Sequence, residues 1–253
     1  MKIWALSDPH LAFGVPSKTM EAFGPSWEGY AEKIAANWKR LVSPNDLVLI
    51  PGDISWAMRL DEALADLKWI DALPGEKIIL KGNHDYWWSS PSKLAQVMPP
   101  SIRFIQNNAL IWNGVAIGGA RLWDTPEYSF ANFIVFQENP LAQKKTAEDF
   151  AKAKEEEEKI FSRELERLKL SLGQLDSSAK LKIALTHYPP IGADLKPSRA
   201  SKILEEFKID ICVFGHLHNV KPSSLPFGKT RGIEYIFASC DYIDFTPIPI
   251  HTI

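Results

Sequence analysis

Leu47-Val48-Leu49-Ile50-Pro51-Gly52-Asp53 decides how this chain folds, because four apolar residues run directly into a Pro-Gly turn and a carboxylate. A short apolar run bounded by turn residues predicts a buried strand. In α/β proteins the carboxyl ends of such strands open into loops, which a rigid sheet aims at one crevice. Asp53 therefore predicts a ligand site at the end of this strand.

The same order of apolar run and polar group recurs along the chain. Histidine, aspartate or asparagine follows closely behind residues 3–6, 78–80, 182–185 and 211–214. Histidine is the commonest metal ligand in proteins, and carboxylates are the usual oxygen partners. The repeated pattern predicts a metal-dependent active site built from Asp8, His10, Asp53, Asn83, His84, His187, His216 and His218.

Helical patterns separate these runs, with apolar residues at spacings of three and four. Alternating strands and helices followed by hairpins predict an α/β fold of two mixed sheets with helices outside. The predicted helices are 26–42 with Ser26 as the N-cap, 60–73, one that starts near Pro91, and one around 198–207. The further predicted strands are 103–105, 110–112, 115–117 and 235–238, with Asn113-Gly114 as a hairpin turn.

Composition is that of an ordinary globular protein. The chain has 253 residues, which suits a single domain over residues 1–253, and is 45% apolar and 24% charged. A net charge of −2 and the lack of a basic stripe with interleaved aromatics argue against a nucleic-acid partner. No apolar run reaches the roughly eighteen residues of a membrane span, and no leader is visible, so we expect a cytoplasmic protein. Cys212 and Cys240 are expected to be core residues rather than a disulfide or ligand pair.

Residues 123–176 interrupt the alternation of strands and helices and are predicted to be an insertion in the single domain. Residues 123–140 are irregular and rich in aromatics, whereas residues 142–175 have an imperfect apolar stripe typical of one or two long helices. Lysines and arginines balance the acidic run 155–158, which we expect to be a solvated helix face. The segment is compatible with a packing helix, a lid or a dimer contact, and the packing helix is the simplest.

The predicted ligand set is too large for one metal ion. Without His84 it holds seven side chains, whereas one ion needs about four protein ligands plus water. Two ions fit if one carboxylate bridges them, and Asp53 is the best candidate because each of its oxygens can bind one ion. Two ions about 3.5–4 Å apart can clamp an in-line displacement at phosphorus, in which a metal-bound hydroxide attacks.

His84 lies beside Asn83 without being needed as a ligand. It is therefore positioned to protonate a leaving alkoxide as a general acid. Nitrogen and carboxylate donors suit two divalent transition-metal ions, and manganese, iron, zinc, cobalt and nickel are all compatible. His251 stands apart from the motifs and is expected to be an ordinary polar residue.

Five motifs follow one another along the chain. They are Asp8-Pro9-His10, Gly52-Asp53, Gly82-Asn83-His84-Asp85, His187 and Gly215-His216-Leu217-His218. In this order they resemble the calcineurin-like metallophosphoesterase family. The resemblance implies a four-layer sandwich of two mixed sheets flanked by helices. It also implies one metal ion on Asp8, His10 and His218, a second on Asn83, His187 and His216, Asp53 as the bridge, and His84 as the group that contacts phosphate and protonates the leaving group.

One departure concerns the protein phosphatase branch of that family. In that branch the Gly-Asp motif is followed three residues later by an aspartate that orients the catalytic histidine, and then by an arginine that binds phosphate. Here those positions hold Trp56 and Ala57, which argues against protein phosphatase activity. Asp85 is then the candidate to orient His84.

Three other groups of residues carry alternative interpretations. The aromatic run Tyr86-Trp87-Trp88 either walls a substrate pocket or packs the following helix. Arg121 and Arg199 are expected to form ion pairs, with bidentate phosphate binding as the alternative. Asp241 and Asp244 are expected to be turn residues.

The sequence therefore predicts a dinuclear metal-dependent phosphoesterase that cleaves monoesters or diesters of a small phosphorylated substrate. A nuclease-type phosphodiesterase is one alternative. A non-catalytic metal-binding scaffold on the same fold is another, although such a scaffold would be expected to lose ligands or the general acid. All seven ligand positions and His84 are intact. No pattern specifies the oligomeric state.

Overall fold

A computed structural model of the chain contains two β-sheets that lie face to face, and it describes residues 1–135, 147–221, 223–225 and 227–253. In spatial order, the strands of the first sheet are β11 (Ile248–Thr252), β1 (Lys2–Ala5), β2 (Leu47–Ile50), β3 (Glu76–Leu80) and β4 (Ile102–Ile105). Those of the second are β5 (Leu110–Trp112), β6 (Val115–Ala120), β7 (Leu181–Thr186), β8 (Ile211–Phe214), β10 (Ile233–Phe237) and β9 (Lys229–Thr230).

Helices cover the outer face of each sheet. The first sheet is covered by α1 (Tyr30–Leu41), α2 (Leu60–Asp71) and α3 (Pro91–Val97), and the second by α4 (Ala147–Leu172) and α5 (Arg199–Glu206). Neighbouring residues of β2 face opposite sides, since Ile50 packs with the first helical layer and Leu49 packs between the sheets. Cys212 and Cys240 are buried in the two outer cores and form no disulfide, as predicted. The predicted four-layer arrangement is confirmed.

The parallel strands of both sheets end at one edge of the sandwich. Strands β1 to β4 are parallel neighbours, and so are β6, β7, β8 and β10. At this edge the backbone of Ser7 joins the two sheets. Its N–H donates to the carbonyl of Ala238 at 2.7 Å, and its carbonyl accepts from the N–H of Cys240 at 2.9 Å. The loops after β1 and β10 are therefore held together.

The structure corrects the predicted start of the first helix. Ser26 is not an N-cap but lies inside a 3-10 turn, and α1 begins at Tyr30 after Gly29, whose φ is 60°. Trp27 explains the difference, because this turn buries its side chain, and its ring lies 5.6 Å from that of His218. Tertiary packing here overrides the helical spacing of apolar residues.

Two strands were not predicted from the sequence. Strand β9 has only two residues, and β11 contains Pro249 and pairs antiparallel with β1 at the edge of the sheet. Proline is tolerated at a sheet edge because its missing N–H is not needed there. The other predicted strands and helices lie within a few residues of the observed ones.

Helix α4 connects the parallel strands β6 and β7. Its residues Phe161, Leu165, Leu168 and Leu172 are buried against the second sheet, as expected for a packing helix. The predicted helical residues 142–146, and residues 136–140 of the aromatic-rich segment, lie outside the described residues. Of the helices that the structure describes, none has the length and apolarity needed to cross a membrane.

Asp46, in the turn before β2, fixes the start of β1. Its carboxylate accepts hydrogen bonds from Lys2 N–H at 2.7 Å, Trp4 Nε1–H at 3.0 Å and Ser43 N–H at 3.0 Å. Burial alone would raise the pKa of Asp46, but these hydrogen bonds outweigh burial and lower the pKa below its ordinary value.

Asp46→Ala is expected to lower the free energy of unfolding at neutral pH by about 3 kcal/mol, because three donors lose an ionised acceptor. A lowered pKa means that the stabilisation is present above the ordinary pKa of 3.8 and is lost as the pH falls through the folded-state value. Urea unfolding at neutral and acid pH measures both effects. The exposed Glu156→Ala is the control and should change stability by less than about 0.5 kcal/mol. A loss that does not shrink in acid would contradict the role of the charge.

Candidate metal centre

The predicted site residues come together at the edge where the parallel strands end. Five of them follow β1, β2 and β3 of the first sheet: Asp8, His10, Asp53, Asn83 and His84. Three follow β7 and β8 of the second sheet: His187, His216 and His218. The site is therefore shared between the two sheets, and its side chains form two groups with one carboxylate between them.

The first group consists of Asp8, His10 and His218. The Nε2 atoms of the two histidines lie 3.1 Å apart, and Asp8 Oδ1 lies 3.7 Å from His218 Nε2. One possible ligand atom from each of the three residues lies within 4.8 Å of the others. Nitrogen and oxygen atoms that converge in a buried place need a proton or a cation between them.

The second group consists of Asn83, His187 and His216. Asn83 Oδ1 lies 2.7 Å from His187 Nε2 and 3.1 Å from His216 Nδ1. One amide oxygen and two imidazole nitrogens form a donor set that suits a divalent transition metal.

Asp53 lies between the two groups. Its Oδ2 is 3.6 Å from His10 Nε2 and 3.4 Å from His187 Nε2. Its Oδ1 accepts a hydrogen bond from the backbone N–H of His84 at 2.8 Å. One carboxylate oxygen thus faces a histidine of each group, so the donor set and its arrangement fit a pair of cations.

Two of the histidines are held with one ring nitrogen turned into the cluster. His187 Nδ1 lies 3.0 Å from the carbonyl oxygen of Pro51, and His218 Nδ1 lies 2.9 Å from Asp241 Oδ1. A ring that donates from Nδ1 can leave the lone pair of Nε2 free for a metal. Both Nε2 atoms point into the cluster, which is the arrangement that partners of metal-ligating histidines produce.

The backbone is strained at four of the predicted ligands. The φ angles are 58° at Asp8, 43° at His10, 49° at Asp53 and 73° at His216. Left-handed conformations of this kind cost of order 1 kcal/mol or more outside glycine, and they cluster at functional sites. Gly215 permits a close approach of two loops, because a Cβ atom there would overlap the carboxylate of Asp8.

His84 is held by its backbone and by ring packing. Its ring centroid lies 4.6 Å from that of Trp56 and 5.6 Å from that of His10. Trp56 also stacks on His10, with centroids 4.8 Å apart and planes 22° from parallel. The residue that replaces the orienting aspartate of the protein phosphatase branch therefore packs against both histidine rings.

Asp85 does not orient the ring of His84, contrary to prediction. Its carboxylate instead accepts hydrogen bonds from two neighbouring loops, whose buried backbone N–H groups need an acceptor. It accepts from Ile54 N–H at 2.9 Å, Ser55 N–H at 3.2 Å, Gly82 N–H at 2.7 Å and Trp87 Nε1–H at 2.9 Å. Burial and repulsion from Asp53 raise the pKa of Asp85 to about 6. Asp85 thus ties the loop after β2 to the loop after β3.

Asp241 lies in a turn, as predicted, and its carboxylate also contacts a predicted ligand. Its Oδ1 contacts His218 Nδ1 at 2.9 Å, and its Oδ2 accepts from the N–H of Asn219 at 3.0 Å. Its neighbour Ser239 donates to Asp8 Oδ2 at 3.0 Å. A signal was present in the sequence, because these two residues follow β10 just as the motifs follow their strands.

Burial and charge shift the pKa values within the cluster. Burial would raise the pKa of Asp53, but the adjacent His187 and His10 outweigh it and hold the pKa well below its usual range. Burial would lower the pKa of His218, but the hydrogen bond and charge of Asp241 raise it to about 9. Burial lowers the pKa of His10. Asp53 is therefore ionised at neutral pH, which is the state in which a carboxylate binds a cation.

The three residues of the aromatic run Tyr86-Trp87-Trp88 do not share one role: some pack in the protein, as one interpretation expected, and one borders the site, as the other expected. Trp87 is 2% exposed and lies in the core, and Trp88 packs edge-on against Phe104 with centroids 6.1 Å apart. Tyr86 is 57% exposed, and its ring lies 6.3 Å from that of His84. Only Tyr86 of the three therefore borders the site.

Arg121 and Arg199 form ion pairs, as expected. Arg121 Nη2 lies 3.3 Å from Glu164 Oε1, and Arg199 Nε lies 2.7 Å from Glu127 Oε1. Two further residues that were expected to lie outside the site are exposed: Asp244 and His251.

A cavity of about 450 Å³ opens beside the second group. Residues from 123–134 line one side of it, and Tyr188 and His216 line the other. Ring centroids lie 3.8 Å apart for Tyr188 and His216, and 5.1 Å apart for Tyr188 and Trp123. An aromatic cavity next to reactive groups suits the non-reacting part of a small ligand.

Comparison with known proteins identifies a family. A sequence model described as calcineurin-like phosphoesterase matches residues 1–220, a range that contains every predicted site residue. A comparison with curated proteins finds no match.

Solved structures are similar to this chain at low identity. Phosphopantetheinyl hydrolase (PptH) from Mycobacterium tuberculosis is 17% identical with a TM-score of 0.54, over 98% of this chain and 95% of that chain. The protein of unknown function AQ665 from Aquifex aeolicus is 17% identical with a TM-score of 0.48, over 98% and 95%. A candidate 5′-nucleotidase from Staphylococcus aureus, in complex with alpha-ketoglutarate, is 13% identical with a TM-score of 0.50, over 95% of this chain and 48% of that chain.

Proposed function

Because the chain belongs to the calcineurin-like phosphoesterase family, we propose that it uses two divalent metal ions to cleave phosphate monoesters or diesters of small molecules. The position of Asp53 carries the proposal. Its Oδ2 faces His10 of one donor group at 3.6 Å and His187 of the other at 3.4 Å. A single carboxylate between two groups of nitrogen ligands suits two adjacent cations, because it can bind both.

Each donor group would hold one ion. The proposed ligands are Asp8, His10 and His218 for the first ion, Asn83, His187 and His216 for the second, and Asp53 for both. Bound ions would polarise the phosphoryl oxygens and lower the pKa of the attacking water. Four of these ligands have left-handed φ angles in loops that follow strands, which supports a backbone built to direct their side chains into the cluster.

His84 would handle the proton that the leaving group needs. As hydroxide attacks phosphorus and the ester P–O bond breaks, the departing oxygen would take a proton from the His84 imidazolium, which becomes a neutral imidazole. The backbone of His84 is fixed on Asp53, and Trp56 packs against its ring. These contacts support a role for His84 beside the cluster, in which its ring nitrogens are not ligands.

The aromatic cavity beside His216 would take the organic part of the substrate. Tyr188 and Trp123 offer ring faces on which a planar or apolar group can pack. Residues that line this cavity would then decide which ester is preferred.

Metal analysis and a substrate panel test the proposal. Purified protein should hold close to two transition-metal ions per chain. Turnover should appear on small phosphate esters when monoesters, linear diesters and cyclic diesters are compared with manganese, iron, zinc, cobalt and nickel. A chain that binds ions but cleaves none of these esters would be a scaffold. Preference for nucleic acid over every small ester would favour a nuclease.

Asp241→Asn is expected to weaken binding of the first ion about 10–100-fold, the usual cost of losing a partner that holds a ligating histidine. The change removes the charge opposite His218 Nδ1 and keeps the shape of the side chain. Titration against a chromophoric chelator measures the affinity. Asp244→Asn makes the same change at an exposed turn and should leave the affinity unchanged. Equal affinities in the two variants would remove Asp241 from the site.

A further inference from the structure

A second cavity, of about 390 Å³, lies between the first sheet and helix α4. Four cationic side chains line it: Lys81, Arg121, Arg163 and Arg167. Glu164 supplies the only carboxylate among the described residues of the lining. A cavity with this composition attracts anions.

The cationic charge exceeds what Glu164 can neutralise. Glu164 is 1% exposed, and its Oε1 lies 3.3 Å from Arg121 Nη2 and 2.6 Å from Arg167 Nη1. One carboxylate is therefore shared by two guanidinium groups. Among the residues that the structure describes, Lys81 and Arg163 make no ion pair. The lining thus keeps an excess of three positive charges, and because Arg163 and Arg167 are exposed, an anion from solvent can reach them.

Two further N–H donors add to this excess of charge. Arg121 Nε is buried, and no described atom accepts its proton. Gln106 also lines the cavity, and its Oε1 accepts from Trp88 Nε1 at 3.0 Å, which leaves its amide NH2 group available as a donor. Guanidinium, ammonium and amide N–H groups that converge in this way match the oxygens of a phosphate group.

The cavity adjoins the second donor group of the metal centre. Lys81 directly precedes the Gly82-Asn83 motif. The backbone carbonyl of Arg121 accepts hydrogen bonds from the N–H of His187 at 3.1 Å and of Tyr188 at 3.0 Å. An anion in the cavity would therefore lie beside, but not in, the site of ester cleavage.

We propose that this cavity is a phosphate subsite that binds a second phosphate group carried by the substrate. The inference rests on the proposed function and narrows it, since the preferred substrates become esters with two phosphate groups. One phosphate is cleaved at the metal centre, while the other is held by Lys81 and the three arginines. A monophosphate would bind less tightly, because it leaves the cationic donors of the subsite without a phosphate to pair with.

The subsite is tested by measuring KM, with manganese present, for two sets of esters. One set is alkanediol bisphosphates of two to six carbons, and the other is the matching alkyl monophosphates. At least one bisphosphate should have a KM about tenfold lower than its monophosphate, a change worth about 1.4 kcal/mol. The double variant Arg163→Gln/Arg167→Gln should abolish that difference and leave KM for the monophosphate within about twofold. The control Lys159→Gln/Lys169→Gln removes the same charge from exposed positions of the same helix and should preserve the difference. Equal KM values for both classes of ester in the wild type would overturn the proposal.

Calorimetric titration with inorganic phosphate measures binding to the subsite without turnover, on protein whose metal has been removed with EDTA. Its result therefore does not depend on whether the proposed function is right. Wild-type protein should bind phosphate more tightly than Arg163→Gln/Arg167→Gln does. Identical titrations would overturn the subsite even if the enzyme is active. Phosphate binding without any preference for bisphosphates would mean that the cavity takes a free anion, which also overturns a substrate-borne second phosphate. Loss of turnover on every ester would instead count against the proposed function.

Discussion

Asp53→Asn is expected to remove both metal ions together and to lower turnover by at least about 10³-fold, equivalent to about 4 kcal/mol of lost transition-state stabilisation. The variant changes only the atoms that face the two donor groups. Asparagine Oδ1 can still accept the N–H of His84, while the oxygen opposite His10 and His187 becomes an NH2 group that cannot bind a cation. Asparagine also tolerates the φ of 49° at this position, so the loop should keep its conformation.

Elemental analysis and turnover, measured on the same preparation, distinguish the outcomes for Asp53→Asn. Asp244→Asn is a matched control, because it makes the same change at an exposed residue with a φ of 50° and should retain both ions. Retention of one ion at full affinity would assign Asp53 to a single ion. Retention of both would remove it from the metal centre.

His84→Ala is expected to retain both ions and to lose about 10²–10⁴-fold in turnover, the usual contribution of a positioned general acid. The size of the loss should depend on the leaving group. An alkyl ester leaves as a strongly basic alkoxide and needs the proton, whereas a nitrophenyl ester leaves as a weakly basic phenoxide and needs it much less. The variant should therefore lose far more activity on the alkyl ester.

The control for His84→Ala is His251→Ala, which removes an exposed imidazole on β11 and should leave metal content and both activities unchanged. Equal losses on the alkyl and nitrophenyl esters would assign His84 to phosphate binding rather than proton transfer. Loss of metal in His84→Ala would instead make it a ligand.

The strands and the positions of the motifs could be predicted because both depend on local patterns. The run Leu47-Val48-Leu49-Ile50 is apolar on both faces, and it forms a strand buried on both faces between a helical layer and the second sheet. Asp53 and His187 follow such strands, and parallel pairing brings the ends of those strands to one edge. No knowledge of distant contacts was needed for these predictions.

The parts that could not be predicted depend on contacts between distant residues. Asp241 meets His218 only because β10 lies beside β8 in the second sheet. Asp85 was a plausible partner for His84 because it is the next residue in the sequence. Its carboxylate instead accepts hydrogen bonds from backbone N–H groups of the loop after β2. Ser26 has the sequence signature of an N-cap, but the burial of Trp27 moves the start of the helix. In each case a tertiary contact overrides a local preference.

The bridge between Ser7 and Ser239 makes the candidate metal centre depend on residues that are far apart in the chain. Ser7 precedes the first proposed ligand, yet its bridge partner is Ser239, and β1 pairs with β11, the last strand of the described chain. A ribosome adds about 5–20 residues per second, so Asp8 and His10 emerge many seconds before His218. We expect a chain stalled before Ser239 to capture no ion with full affinity. Ion capture would then follow the synthesis of β10 and the residues after it, rather than that of the first motifs.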